Sequence, residues 1–385
     1  MPAPQAIPSS RLTVRIAVKT FFFIAGCCFA SWASRIPAVQ QKLHMSNGAL
    51  GAVLLALPTG LMTSLPFSGW LVSRFGSRKV VIIAALAYTT ILPLLGLADK
   101  PWQLVCILFC FGLAGNLFNI SVNTQAIGTE MLYGRSIMAS FHGVWSLAGF
   151  TGAAIGTFMV SHHIVPFYHF VLVSGLMWVA AIVTWRFLLN NDPPHEGGTR
   201  LFVKPDQFLL KLGLIAFCCM ICEGTMFDWS GVYFKKQVAV PERFTTLGYV
   251  AFMSTMAGGR FIGDRLSEWL GKKQMIQISG IIIASGLLLS VLFPFIIPAT
   301  IGFLLVGFGV SSVVPLVYGA AGRYGKMNAG VAIAAVSTIG YFGFLFGPPM
   351  IGFIAQAASL RLSFLVIAVL GFSTFLLATF TRLEK

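Results

Sequence analysis

The chain has 385 residues, of which 57% are hydrophobic and only 10% charged, with 40 glycines and 35 phenylalanines. A soluble domain carries roughly 25% charged residues, so a water-soluble globule is excluded and helices packed closely in lipid are indicated. The net charge of +15 does not point to nucleic acid, because the basic residues are scattered between apolar runs with no basic domain to gather them.

Residues 1–13 read as a polar, proline-containing tail. Arg11, Arg15 and Lys19 then lead into Phe21-Phe22-Phe23-Ile24-Ala25-Gly26-Cys27, which imitates a signal peptide. No soluble domain follows, so this run is expected to be a first membrane span. A spanning helix needs about 20 apolar residues. Twelve runs meet that need: 14–36, 49–72, 80–97, 103–127, 138–160 and 167–189, then 208–232, 245–262, 274–293, 299–318, 329–353 and 362–380. Between the sixth and seventh lies the one long polar stretch inside the chain, 190–207, whose Pro193, Pro194, Gly197 and Gly198 mark it as a linker. The expected fold is all-α integral membrane: twelve transmembrane helices in two six-helix bundles, 14–189 and 208–385. With both termini and the linker cytoplasmic, only Arg35, Lys42, Lys100, Lys235, Lys236, Arg243 and Arg361 fall on the opposite side, so the positive-inside rule favours this orientation. All seven cysteines lie within apolar runs. They suggest neither a disulfide framework nor a metal site, since Cys218, Cys219 and Cys222 have no fourth ligand nearby. No cofactor is expected.

One short basic turn occurs twice, half a chain apart. The first copy is Gly69-Trp70-Leu71-Val72-Ser73-Arg74-Phe75-Gly76-Ser77-Arg78-Lys79. The second is Gly259-Arg260-Phe261-Ile262-Gly263-Asp264-Arg265-Leu266, closed by Gly271-Lys272-Lys273. Asp264 follows Ser73 by 191 positions, and the pair Cys27-Cys28 recurs at the same distance as Cys218-Cys219. A tandem repeat of six plus six helices is therefore expected, the copies facing each other about an axis along the membrane normal.

These loops resemble the signature of the major facilitator superfamily, Gly-x-x-x-Asp-Arg-x-Gly-Arg-Arg/Lys. The first matches at Gly69, Arg74, Gly76 and Arg78 and departs at Ser73 and Ser77; the second keeps Gly263, Asp264 and Arg265 with extra residues before Gly271. A narrower likeness, to the YbjJ-like branch loosely grouped with fucose permease-type sugar transporters, rests on Ser136 to Leu147 and on Cys222 to Tyr233. The resemblance implies secondary transport by alternating access, with a cavity lined by spans 1, 4, 7 and 10 and both loops acting as conformational locks. Asp264 would sit near Arg135 at a helix N-terminus of the opposite half, worth roughly 0.3–1 kcal/mol.

Of eleven acidic residues, only Glu223 and Asp228 lie within an apolar run. A charge inside the bilayer is expensive to desolvate, which makes each a functional candidate. Counting from Leu212, Glu223 lies about mid-bilayer and Asp228 near the outer surface, pointing about 140° apart. Glu223 either couples a proton or, protonated, hydrogen-bonds a neighbouring helix. Asp228 and Arg35 either pair as an outer gate between the halves or act as separate interfacial charges. Asn116, Asn119 and Asn123 share one face of span 4 and suit a hydroxyl-rich solute, or else bond other helices. His142 and Trp145 share a face of span 5, offering a proton-release group and a stacking surface, or plain packing. Trp32, Tyr249 and Tyr341 are lesser cavity candidates, and Gly347-Pro348-Pro349 predicts a kink in span 11.

The function expected is proton-coupled transport of a small polar solute, such as a sugar or sugar derivative, across a bacterial inner membrane by a monomer. A proton-coupled drug or metabolite exporter is the alternative. No metalloprotease, nucleophile-elbow or Walker motif supports an enzyme or an ATP-driven pump.

Overall fold

The computed structural model describes residues 10–134, 137–190, 192, 205–325 and 329–381. Arg135, Ser136, most of the expected tail and linker, and the side chain of Asp264 lie outside the described residues. The described chain is entirely helical, in thirteen long or short α-helices. In order they are α1 (Arg11–Lys42), α2 (Asn47–Leu54), α3 (Ala56–Phe75), α4 (Ser77–Leu97), α5 (Pro101–Tyr133), α6 (Met138–Ser161) and α7 (Pro166–Thr184). The second half holds α8 (Gln207–Lys236), α9 (Leu247–Leu270), α10 (Lys272–Leu292), α11 (Ile296–Gly322), α12 (Ala329–Ala357) and α13 (Leu360–Thr379).

Local chemistry sets the boundaries. Ser10, Ser46, Asp206 and Ser359 cap the starts of α1, α2, α8 and α13 through their side chains. The second predicted span is divided at Leu55 into α2 and α3. Pro58, three residues on, has no N–H to offer the carbonyl of Leu54, so the ladder is broken there. The kink predicted at Pro348-Pro349 does not end a helix, since α12 continues through both prolines.

Among the described residues, eleven helical segments are long and apolar enough to cross a membrane, with α2 and α3 counted as one. α9 is not among them; its sequence carries Arg260, Asp264, Arg265 and Glu268. Large apolar side chains such as Ile83, Tyr168, Val179, Ile297 and Val369 stand exposed around the outside. That surface would be untenable in water and is the one lipid requires.

The helix pairings occur twice. In the first half α1 packs on α6, α7 and α5, while α5 also packs on α3 and α4, and α4 on α7. In the second half α8 packs on α12, α13 and α11, while α11 packs on α9 and α10, and α10 on α13. Three main helix pairings join the halves, α1 with α8, α6 with α9, and α2 with α12; α6 also meets the short turn Glu242–Phe244, and α12 meets α3. Exchanging the halves maps this set onto itself, as a pseudo-two-fold axis between them requires.

The repeated turn is duplicated in backbone conformation as well. Gly76 has φ 85° and ψ 141°, and Gly271 has φ 83° and ψ 149°. Each ends one helix and starts the next, in a region that only glycine enters freely. Gly271 follows Gly76 by 195 positions, four more than the spacing of Asp264 from Ser73. Counted back from the glycine, the residue matching Ser73 is therefore Glu268, and Asp264 sits one helical turn earlier.

The halves meet most closely at the face opposite the chain termini. A Cβ on Gly51 would come 2.9 Å from the Cα of Gly352, and one on Gly352 would come 2.8 Å from the Cα of Gly51. Beside this crossing Lys236 Nζ donates to Asn47 Oδ1 at 2.7 Å, and Lys235 donates to Gln41. The backbone N–H of Gly48 donates to Gln356 Oε1 at 3.4 Å.

Candidate functional site

α8 is the most enclosed helix, and Glu223 lies near its middle, buried. α9 runs antiparallel to it and brings Arg260 to the same level. Arg260 Nη2 stands 3.5 Å from Glu223 Oε1, with the Arg260 side chain 19% exposed and that of Glu223 8% exposed. The same guanidinium crosses to the first half. Its Nη1 donates to Ser146 Oγ of α6 at 2.6 Å, and it lies over the Trp145 ring at 5.5 Å. Ion pair, hydrogen bond and cation–π contact therefore converge on one arginine at mid-height.

Tyr318 of α11, Tyr341 of α12 and Cys219 of α8 lie near Glu223. His142 lies near Arg260, one turn from Ser146 towards the face of the chain termini. It is exposed, with its ring edge-on to Phe22 at 5.3 Å.

One turn beyond Glu223, away from the termini, an aromatic layer closes the site. Phe227 touches Phe29 at 5.1 Å, Phe252 at 5.6 Å, Trp145 at 6.3 Å and Phe344 at 6.3 Å, measured between ring centroids. These side chains come from α1, α6, α8, α9 and α12, so both halves build the layer. Tyr341 joins it through Phe344, and Tyr249 through Phe227.

The other candidates are dispersed. Arg35 does not pair with Asp228 in this conformation; its Nη2 donates to the carbonyl of Ile164 at the α6–α7 turn. Arg35 is buried and Asp228 half-buried. Trp32 and Tyr249 are buried, and among the described residues neither the Trp32 Nε1 nor the Tyr249 hydroxyl has a hydrogen-bond partner.

The three asparagines of α5 make different contacts. Asn116 Nδ2 donates to Ser64 Oγ at 2.7 Å and to Ser68 Oγ at 3.3 Å, so it ties α5 to α3 inside the first half. Asn123 instead donates to the carbonyl and side chain of Asn119, which is exposed. The difference follows from the neighbour: serines on α3 stand opposite Asn116 and draw its amide inward.

The first basic turn is held by its own half. Arg78 donates to the carbonyls of Trp185 and Arg186 and to Asn190 Oδ1. Asp192 accepts from the N–H and the hydroxyl of Ser77, at the start of α4, where a negative charge is favoured. Gly69, Arg74 and Arg265 are exposed, and Gly263 is packed against Ser312 of α11.

Arg260 is a candidate residue that the pattern of intramembrane acids does not single out. Its signal was present, because it falls inside the apolar run 245–262. It was absorbed there into the repeated turn, whose basic residues otherwise lie beyond the span.

The family profile described as Major Facilitator Superfamily matches residues 20–329. An uncharacterized MFS-type transporter of Yersinia pestis is 33% identical over 360 residues, covering 93% of each chain. The membrane protein MosC of Rhizobium meliloti is 31% identical over 367 residues, covering 94% of this chain and 89% of its own. Among solved structures, a bacterial homolog of the human lysosomal transporter Spinster, inward-facing and unoccupied, superposes with a TM-score of 0.73 at 13% identity. That likeness covers 97% of this chain and 98% of the other, and at such identity it speaks for the fold alone. The chain belongs to the Major Facilitator Superfamily: it is a multi-pass integral membrane transporter of the bacterial inner-membrane kind, not an enzyme.

Proposed function

We propose that this chain is a proton-coupled secondary transporter of a small polar solute, such as a sugar or sugar derivative, working by alternating access. The observation that carries this is the mid-height cluster of Glu223, Arg260 and Ser146, where an intramembrane ion pair of the second half is bonded to the first half through Arg260. A charged pair at that depth is tolerated where it lines a pathway. Counting α9 as a span makes twelve, in bundles 14–189 and 208–385 joined by the linker 190–207, with both termini cytoplasmic and the monomer as working unit. The narrower YbjJ-like branch belongs to this same proposal. In that orientation the Gly51–Gly352 crossing closes the outside, and the site opens inward past His142. Glu223 loads the proton and His142 passes it on; Trp145, Tyr341, Asn119 and Asn123 are the solute-facing candidates. Arg35 and Asp228 are proposed to come together only in another conformation.

The test is reconstitution in liposomes holding a pH-sensitive dye, with sugars and sugar acids added outside. Solute entry should carry protons in the wild type. In Glu223→Gln, proton movement should stop while exchange of the same solute across the membrane persists. Transport with no accompanying proton flux would sink the coupling.

The aromatic layer around Phe227 favours a second reading, export of an apolar metabolite or drug. Stabilisation of the purified protein by lipophilic cations alone, with none from sugars, would favour it.

A further inference from the structure

Arg260 is under-used for a charge held in the middle of a membrane protein. A guanidinium has five N–H donors. Among the described residues it makes two hydrogen bonds, to Ser146 at 2.6 Å and to Glu223 at 3.5 Å. The bond to the formal counter-ion is the longer of the two, at the outer limit for hydrogen bonding. Arg260 is also the more accessible partner, 19% exposed against 8% for Glu223. A solute entering the site therefore meets the cation before the acid. Trp145 lies against the guanidinium, its ring centroid 5.5 Å from the central carbon of the fork. A planar fork with donors to spare matches a carboxylate, which it can grip through two parallel bonds.

We propose that the solute carries a carboxylate, and that this carboxylate replaces Glu223 on Arg260 when Glu223 takes up a proton. This rests on the proton-coupling function above and names its substrate class. The exchange balances. An ionised Glu223 neutralises Arg260; a proton bound at a Glu223 oxygen removes that charge, and the carboxylate of the incoming solute restores it. One proton and one monoanion then occupy the site together, and the pair adds no net charge to the membrane interior. Avoiding a lone buried charge is the physical reason the two events are linked, since an unpaired ion in the interior is strongly unfavourable. Other groups near Glu223 are Cys219 of its own helix, Arg260 of α9, Tyr318 of α11 and Tyr341 of α12; His142 of α6 faces Arg260. Of these only Arg260 offers a permanent positive charge.

The experiment uses purified full-length protein in detergent and matched probes: gluconate against glucitol, and benzoate against benzyl alcohol. Binding is read from tryptophan fluorescence, with Trp145→Phe identifying the local signal. In Glu223→Gln no internal carboxylate competes for Arg260. That variant should bind at least one of the two carboxylates tenfold or more tightly than the wild type at pH 7.5, and with no pH dependence. The wild type should approach the same affinity as pH falls. Arg260→Gln should bind neither carboxylate, and if that single variant does not fold, the Arg260→Gln/Glu223→Gln double variant, which buries no lone charge, takes its place. The neutral probes should not discriminate among variants. No gain for either carboxylate in Glu223→Gln, or an equal gain for the neutral probes, overturns the proposal. A separate arm isolates the coupling itself. Without any probe, acidification should change the Trp145 signal in the wild type and not in Glu223→Gln. If that response is present while carboxylate preference is absent, coupling stands and the anion assignment falls; if it is absent, coupling falls and the carboxylate preference is judged alone.

Discussion

Arg260 and Ser146 join the two halves of the molecule through one hydrogen bond of 2.6 Å at mid-height. The same arginine holds Glu223 in its own half, so the charge that stabilises the site also fastens the halves together. Removing either charge alone strands the other in a poorly solvated place, which costs about 3–5 kcal/mol. Arg260→Gln should therefore lower stability by that order in thermal unfolding. The double variant with Glu223→Gln should recover most of the loss. A double variant no more stable than Arg260→Gln would show that the pair does not balance itself.

The Gly51–Gly352 crossing leaves no room for a side chain. Gly51→Val should force α2 from α12 and shift the population towards opening at that face. Spin labels on either side of the crossing should report longer distances, by several ångströms. Unchanged distances, with the protein folded, would mean that the crossing yields elsewhere.

Asn116 and the Asn119–Asn123 pair should separate cleanly in mutagenesis. Asn116→Leu removes both bonds to α3, while Ser64 and Ser68 keep their own bonds to backbone carbonyls, and should cost about 0.5–1.5 kcal/mol in stability. Asn119→Ala and Asn123→Ala should leave melting nearly unchanged, and any effect should be on transport. A loss of melting temperature in all three alike would contradict this division.

The matched glycines make a paired prediction. Gly76→Ala and Gly271→Ala each place a Cβ at positive φ with extended ψ, a region essentially reserved for glycine, at about 1–3 kcal/mol. Neither Cβ would meet a near neighbour, so the strain is the backbone's own. Equal losses in melting are expected from the two, and a large inequality would mean the turns are not equivalent.

How legible was this in the sequence? Runs of apolar residues marked the spans because each needs only length and composition, and the two turns marked the duplication because glycine at positive φ has no substitute. The break at Leu55 was less visible, since Pro58 sits inside a run that is apolar throughout. Helical spacing puts three asparagines on one face, but spacing says nothing of what stands opposite, and opposite Asn116 stand Ser64 and Ser68. Glu223 stood out as a lone acid. Its partner did not, because thirty-seven positions separate them and only antiparallel packing brings Arg260 level with it.

The interruption at Leu55 also divides loyalties. The eight residues of α2 lie against α12 of the second half, while α3 lies against α5 of the first. Its pseudo-symmetric counterpart, α9 against α6, is unbroken. The second span is thus a jointed strut with a foot on each side of the molecule, and the joint is a missing backbone hydrogen bond rather than a loop. When the halves part, either the foot lifts from α12 or the joint flexes, and the opposite pillar offers no such choice.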